Sequence, residues 1–112
     1  MKIDNSQLNL FEELSEDFRF FIVKNLKDCL KNTDLPDSDK EEICGEFLAE
    51  LCANLDQGEW ENNGKYYRPV VGFIDSKSLQ SWDSETRFII PYQAYHHHDK
   101  VWDEIEDMYE NA

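Results

Sequence analysis

The chain has 112 residues, 25 of them acidic and 11 basic, and its formal net charge at pH 7 is −14. Negative charge at this density disfavours nucleic acids and anionic membrane surfaces as direct partners, because their phosphate groups would repel it. Hydrophobic residues make up 40 % of the chain and aromatic residues 13 %, which is enough to bury a core and argues against disorder. We therefore expect a single domain over residues 1–112.

The first part of the chain has the pattern of a long helix. From Ser6 to about Lys31, apolar residues recur every three or four positions, which predicts one buried face. Ser15 is followed by two acidic residues and resembles an N-cap, so two helices with a bend at this point are the alternative.

A second helix is predicted after a connection that contains Pro36. Ser38 and Glu41 have the spacing of a capping box, in which each side chain bonds to the backbone of the other residue. An apolar stripe then continues almost to Gly58. Two amphipathic helices joined by a short loop are expected to pack as an antiparallel pair.

The second half of the chain has shorter elements. Asn63-Gly64 is typical of a type I′ hairpin, because both central residues of that turn need positive φ. A short strand is predicted over 86–90 and a helix over 99–110. The fold class is therefore predicted as α+β: an antiparallel helix pair, then a small antiparallel sheet made of a β-hairpin plus one strand, then a C-terminal helix.

The three cysteines fall on these helical patterns. Cys44 and Cys52 are both on the second helix, about 12 Å apart along its axis, too far for a disulfide. Together with Cys29 they are interpreted as reduced, inert thiols on buried faces. The N-terminus lacks the features of a secretory signal, and no apolar run has the roughly 20 residues that span a bilayer. The sequence thus predicts a cytoplasmic protein that does not enter a membrane.

Acidic residues concentrate on the second and the last predicted helix. The residues that we select as partner-binding are Glu42, Glu46 and Glu50 on the second helix, and Asp103, Asp107 and Glu110 on the last. Like charges four residues apart cost a helix about 0.2–0.5 kcal/mol per pair, so a functional reason for them is expected. Their spacing of about 6 Å is similar to that of successive phosphates along a nucleic-acid strand.

These stripes predict a small acidic binding protein that engages a basic protein, such as a toxin, a nuclease or a nucleic-acid-binding protein. Its role would be that of an inhibitor, an immunity protein or a nucleic-acid mimic. Tyr66, Tyr67 and Arg68 of the hairpin are expected at the rim of the interface, where tyrosine and arginine are enriched. The alternative is a structural module that self-associates as a homodimer, with an acidic surface that serves only solubility.

Metal binding and catalysis have weaker signals. Of three consecutive histidines at 96–98, only His96 and His98 lie on the same side of an extended segment. A zinc-like site would need a third ligand from Asp99, Asp103 or a cysteine, so we interpret the run as a polar loop and predict no metal or cofactor. The sequence has no phosphate-binding loop or nucleophile elbow, and we predict no catalytic residues and no enzymatic activity.

Overall fold

The computed structural model describes residues 1–75, 81–93 and 95–110. Over these residues the elements are β1 (Lys2–Asp4), α1 (Leu8–Leu30), α2 (Asp37–Gln57), β2 (Trp60–Asn62), β3 (Lys65–Tyr67), β4 (Phe73–Asp75), β5 (Arg87–Ile89), a 3-10 helix (His97–Lys100) and α3 (Val101–Glu110). The predicted α+β class is confirmed, with its helix pair, hairpin, further strand and C-terminal helix.

The α1 helix is continuous, so the predicted alternative of a bend at Ser15 is wrong. Ser15 is completely buried in the middle of the helix and cannot act as an N-cap. The buried positions of α1 are Phe11, Ser15, Arg19 and Val23. Because each step of four residues advances about 40° past a full turn, this buried stripe rotates around the helix. Cys29 lies outside the rotated stripe and is exposed, contrary to expectation.

The α2 helix begins one residue before the predicted capping box. Pro36 occupies the N-cap position, and its carbonyl accepts bonds of 3.1 Å from the N–H groups of Asp39 and Lys40. No side chain caps this end, so the predicted cap by Ser38 is wrong. The proline ends the preceding extended segment, and acidic residues in the first turn suit the positive end of the helix dipole.

The three helices share one apolar core. Its buried members are Val23 from α1, Cys44, Leu48 and Cys52 from α2, and Val101 and Ile105 from α3. Burial raises the pKa of the Cys52 thiol to about 11, which keeps it protonated and unreactive at neutral pH. Two of the three cysteines therefore serve as small core residues.

The strands form two separate sheets. The hairpin of β2 and β3 turns at Asn63 and Gly64, whose φ values of 52° and 79° match the predicted turn. The other sheet has β5 at its centre, antiparallel to β4 and parallel to β1, a strand that the sequence did not predict. Phe73 from this sheet packs on α1, with its ring centroid 5.6 Å from that of Phe11.

Candidate functional site

The two acidic helices lie side by side and run in opposite directions. The N-terminal end of the α3 region contacts the C-terminal end of α2, where His98 meets Asp56. Near the other end of α3, the Tyr109 hydroxyl donates to the Cys44 sulfur at 3.2 Å, in the first half of α2. The two helices that carry the acidic stripes are therefore neighbours, which their positions in the sequence do not reveal.

A tryptophan marks the contact between these helices. The Trp102 indole lies against the backbone of Gly45, and a Cβ added to Gly45 would be 2.1 Å from the Cζ3 atom of that ring. The indole is nevertheless 53 % exposed. Glu42 precedes Gly45 by three residues, so it lies on the same flank of α2 as the glycine that the indole covers. The result is an exposed aromatic ring on the side of α2 that carries Glu42.

All six acidic residues selected from the sequence have exposed side chains. They are Glu42, Glu46 and Glu50 on α2, and Asp103, Asp107 and Glu110 on α3. Their crowding on α3 raises the pKa of the exposed Glu106 carboxyl, through the charge of Glu110 first and also through those of Asp103 and Asp107. We call these six carboxylates and that of Glu106, together with Trp102, the acidic face.

The hairpin residues lie apart from most of this face. Tyr66 and Tyr67 are exposed at 69 % and 45 %, while the Arg68 guanidinium donates to the backbone carbonyl of Asp56 at 2.8 Å. This bond attaches Arg68, the first residue after β3, to the C-terminal end of α2. Glu42 lies 14 residues earlier on that helix, about 21 Å along the axis. The hairpin is thus attached at the opposite end of α2 from Glu42.

Two acidic residues of the same helices point inward. Neither their residue type nor their spacing distinguishes them from the exposed acids. Glu104 accepts a bond of 2.5 Å from Nε of Arg19, and both side chains are almost fully buried. Burial raises the pKa of Glu104 more than the Arg19 hydrogen bond lowers it. Burial alone would lower the pKa of Arg19, but the hydrogen bond and charge of Glu104 leave it raised. The sequence feature that could have indicated a buried acidic partner is Arg19, a charged residue on the buried stripe of α1.

Asp56 is the second inward-pointing acid, with a side chain that is 1 % exposed. Its carboxylate accepts backbone N–H bonds from His97 at 2.8 Å and His98 at 3.0 Å, and it also contacts Nδ1 of His98. Burial acts to raise the pKa of Asp56, but these hydrogen bonds outweigh it and leave that pKa lowered. Asp56 therefore anchors the histidine segment to the end of α2.

The neighbouring His97 is buried between the helices and the sheet. Its ring stacks edge-on with Phe11 and Tyr95, at centroid distances of 6.0 Å and 4.7 Å. Burial lowers its pKa, and its Nδ1 lies 3.4 Å from a guanidinium nitrogen of Arg19. A cavity of about 450 Å³ opens beside it, bounded by the end of α2 and by residues 68–71 and 90–93.

No protein-family model matches this chain, and no curated protein or solved structure is significantly similar to it. Within the part of the chain that the structure describes, no helix combines the length and apolar character needed to cross a membrane.

Proposed function

We propose that this is a small acidic binding protein whose acidic face engages a basic protein partner. The observation that carries the proposal is the packing of α3 on α2, which makes the two acidic helices neighbours and leaves Trp102 half-exposed where they meet. Complementary charge steers a basic partner to such a surface. Buried tryptophans are frequent energetic centres of interfaces, and an indole also attracts lysine and arginine through its π face.

The role that fits this surface is occupancy. Its carboxylates would pair with the Lys and Arg side chains that a toxin, nuclease or nucleic-acid-binding protein uses to hold phosphate. The partner would then be inhibited, as expected for an immunity-type protein or a nucleic-acid mimic. We place this role in the cytoplasm, where the free thiols of Cys29, Cys44 and Cys52 would stay reduced.

The experiment that tests the proposal is capture of partners from native lysate with untagged protein, first at about 50 mM and then at about 500 mM salt. Screening of exposed charges should release a captured basic protein as the salt rises. The variant E42K/E46K/E50K should lose the partner, with affinity reduced by more than about tenfold. The matched control is E13K/D17K/D28K, which makes the same charge change at three exposed positions of α1 and should retain the partner.

Two outcomes contradict the proposal. One is that no basic protein is enriched at low salt. The other is that the α1 control loses as much binding as the α2 variant, which would mean that only total charge matters. Circular dichroism of both variants separates loss of binding from loss of fold.

One observation favours self-association as the second candidate function. On the outer face of the three-stranded sheet, Ile3 and Ile74 flank Phe88 in register and are 70 % and 37 % exposed. Sedimentation equilibrium distinguishes the two functions. A dimer that persists at high salt and dissociates in the I3D variant would support assembly through this face.

A further inference from the structure

Three possible metal ligands converge at the C-terminal end of α2. One carboxylate oxygen of Asp56 and one ring nitrogen each of His96 and His98 all lie within 4.8 Å of one another. The two imidazole centroids are 5.9 Å apart, and Nδ1 of His98 contacts Oδ2 of Asp56 directly. The residues come from two elements, because Asp56 belongs to α2 and the histidines lie at the start of the α3 region.

The protein holds this group firmly on one side and leaves it open on the other. Asp56 is buried and fixed by the N–H groups of His97 and His98, so its carboxylate is positioned before any ion arrives. His96 is exposed and the His98 side chain is 40 % exposed, which gives an ion a path from solvent. A site needs both of these properties to be preorganised and accessible.

We propose that Asp56, His96 and His98 bind one divalent transition-metal ion of the Zn²⁺ type, with a fourth position open to water. Imidazole and carboxylate donors suit Zn²⁺, and two nitrogen donors disfavour Mg²⁺ and Ca²⁺, which prefer oxygen. Tetrahedral bonds of about 2.1 Å place donor atoms roughly 3.4 Å apart. The ring of His98 would therefore move away from Asp56, and the ion would take the place of the proton between them.

A neighbouring carboxylate supports this arrangement. Nε2 of His98 lies 3.4 Å from Oδ1 of Asp99. When Nδ1 of His98 binds the metal, the ring proton resides on Nε2 and can be donated to Asp99, the outer contact that metal-bound histidines commonly make. The sequence suggests Asp99 as a third ligand, whereas in the proposed site Asp56 is the third ligand and Asp99 is the outer partner of His98.

The test is a calorimetric titration of untagged, chelator-treated protein with ZnCl₂. We expect one ion per chain, retained in a large excess of Mg²⁺. The variant H96Q changes an exposed side chain, so the fold should survive while affinity falls by more than the roughly 10–100-fold that loss of an outer partner causes. D99N should show that smaller loss. The matched control D34N removes the same charge from an exposed position outside the ligand group and the acidic face and should bind as wild type.

Co²⁺ provides a second measurement that does not depend on affinity. Tetrahedral coordination by the wild type should give intense visible absorption bands, which H96Q should lack. The proposal is overturned if Zn²⁺ does not bind, or if H96Q binds it as tightly as wild type. It is also overturned if several ions bind per chain and Mg²⁺ displaces them, because that result is expected of non-specific cation binding to the exposed carboxylates. None of these outcomes depends on a protein partner.

Discussion

Arg19 and Glu104 form an ion pair inside the protein, with Nε and Oε1 2.5 Å apart and side-chain exposures of 4 % and 8 %. The pair joins α1 to α3 and fixes the rotation of α3 about its own axis. Because Glu104 points inward together with Val101 and Ile105, the remaining acidic residues of α3 are turned toward solvent. The buried pair is therefore what orients the exposed acidic face.

The first prediction concerns this pair. The variant E104Q leaves the Arg19 charge buried without its counter-ion, and we expect the free energy of unfolding to fall by about 3–5 kcal/mol. The double variant R19M/E104L replaces both charges with apolar groups and should recover most of that loss. Urea denaturation measures both. The control K2M removes the exposed Lys2–Glu85 pair and should cost less than about 1 kcal/mol; a cost for E104Q no greater than that would contradict the prediction.

The second prediction concerns the contact of Gly45 with Trp102. Alanine normally stabilises the interior of a helix by about 0.5–1 kcal/mol relative to glycine. In G45A the new Cβ would meet the indole at 2.1 Å, so we expect a net destabilisation of about 1–3 kcal/mol.

The same substitution should reverse its sign once the indole is gone. In the W102A background, G45A should stabilise the protein, and a double-mutant cycle of denaturation free energies measures the coupling. Equal effects of G45A in the two backgrounds would show that the indole does not lie on this glycine.

Local features of the fold were predictable from the sequence, and non-local ones were not. Asn63-Gly64 specifies its turn through the φ values of two adjacent residues, and the structure has that turn. The strand β1 has only three residues, and its Ile3 pairs with Phe88, 85 positions later in the chain. Such a strand shows no usable periodicity and is stabilised only by its distant partner, so its pairing cannot be inferred from local pattern.

The candidate site likewise has a local part that the sequence predicts and a non-local part that it does not. The exposed acids of α2 and α3 follow from helical spacing, but the fact that the two helices are neighbours depends on their antiparallel packing. Glu104 and Asp56 are indistinguishable from the exposed acids by residue type or spacing. What separates them is a partner on another element, Arg19 for the first and the backbone at 97–98 for the second.

The third prediction concerns pH and Asp4, at the turn before α1. The hydroxyl of Ser6 donates to its carboxylate at 2.7 Å, as do the Ser6 backbone, Gln7 and Arg87 at 3.0, 2.7 and 3.1 Å. These contacts lower the pKa of Asp4 from 3.8 to about 2. Because the lowered value belongs to the folded state, the stabilisation is complete above pH 3.8 and is lost as the pH falls through about 2.

Thermal denaturation across this range measures the effect. D4N should be less stable than wild type at neutral pH, and the difference should shrink as the pH approaches 2. The control D34N changes an exposed residue in the connection between α1 and α2. An Asp4 variant whose stability followed the wild-type pH curve throughout would contradict the assignment.

The fourth prediction concerns Glu106, a residue whose charge should lower the stability of the fold and strengthen the proposed binding. The pKa of this exposed carboxyl is raised by Glu110, Asp103 and Asp107, so the folded state holds its proton more tightly than the unfolded state. The resulting destabilisation is present above the raised pKa and disappears as the pH falls through it. The variant E106Q should therefore raise the melting temperature at neutral pH and low salt, and the gain should shrink as added salt screens the repulsion.

Binding should change in the opposite direction in the same variant. If the crowded carboxylates of α3 are kept because a basic partner neutralises them, E106Q should capture that partner more weakly at low salt while melting at a higher temperature. A variant that gains stability and still captures the partner at the wild-type level would mean that Glu106 lies outside the interface. Positive charge from a bound partner relieves the repulsion between these carboxylates. Opposite changes in stability and binding are therefore the result expected of a binding surface, whereas a face that serves only solubility would change in stability alone.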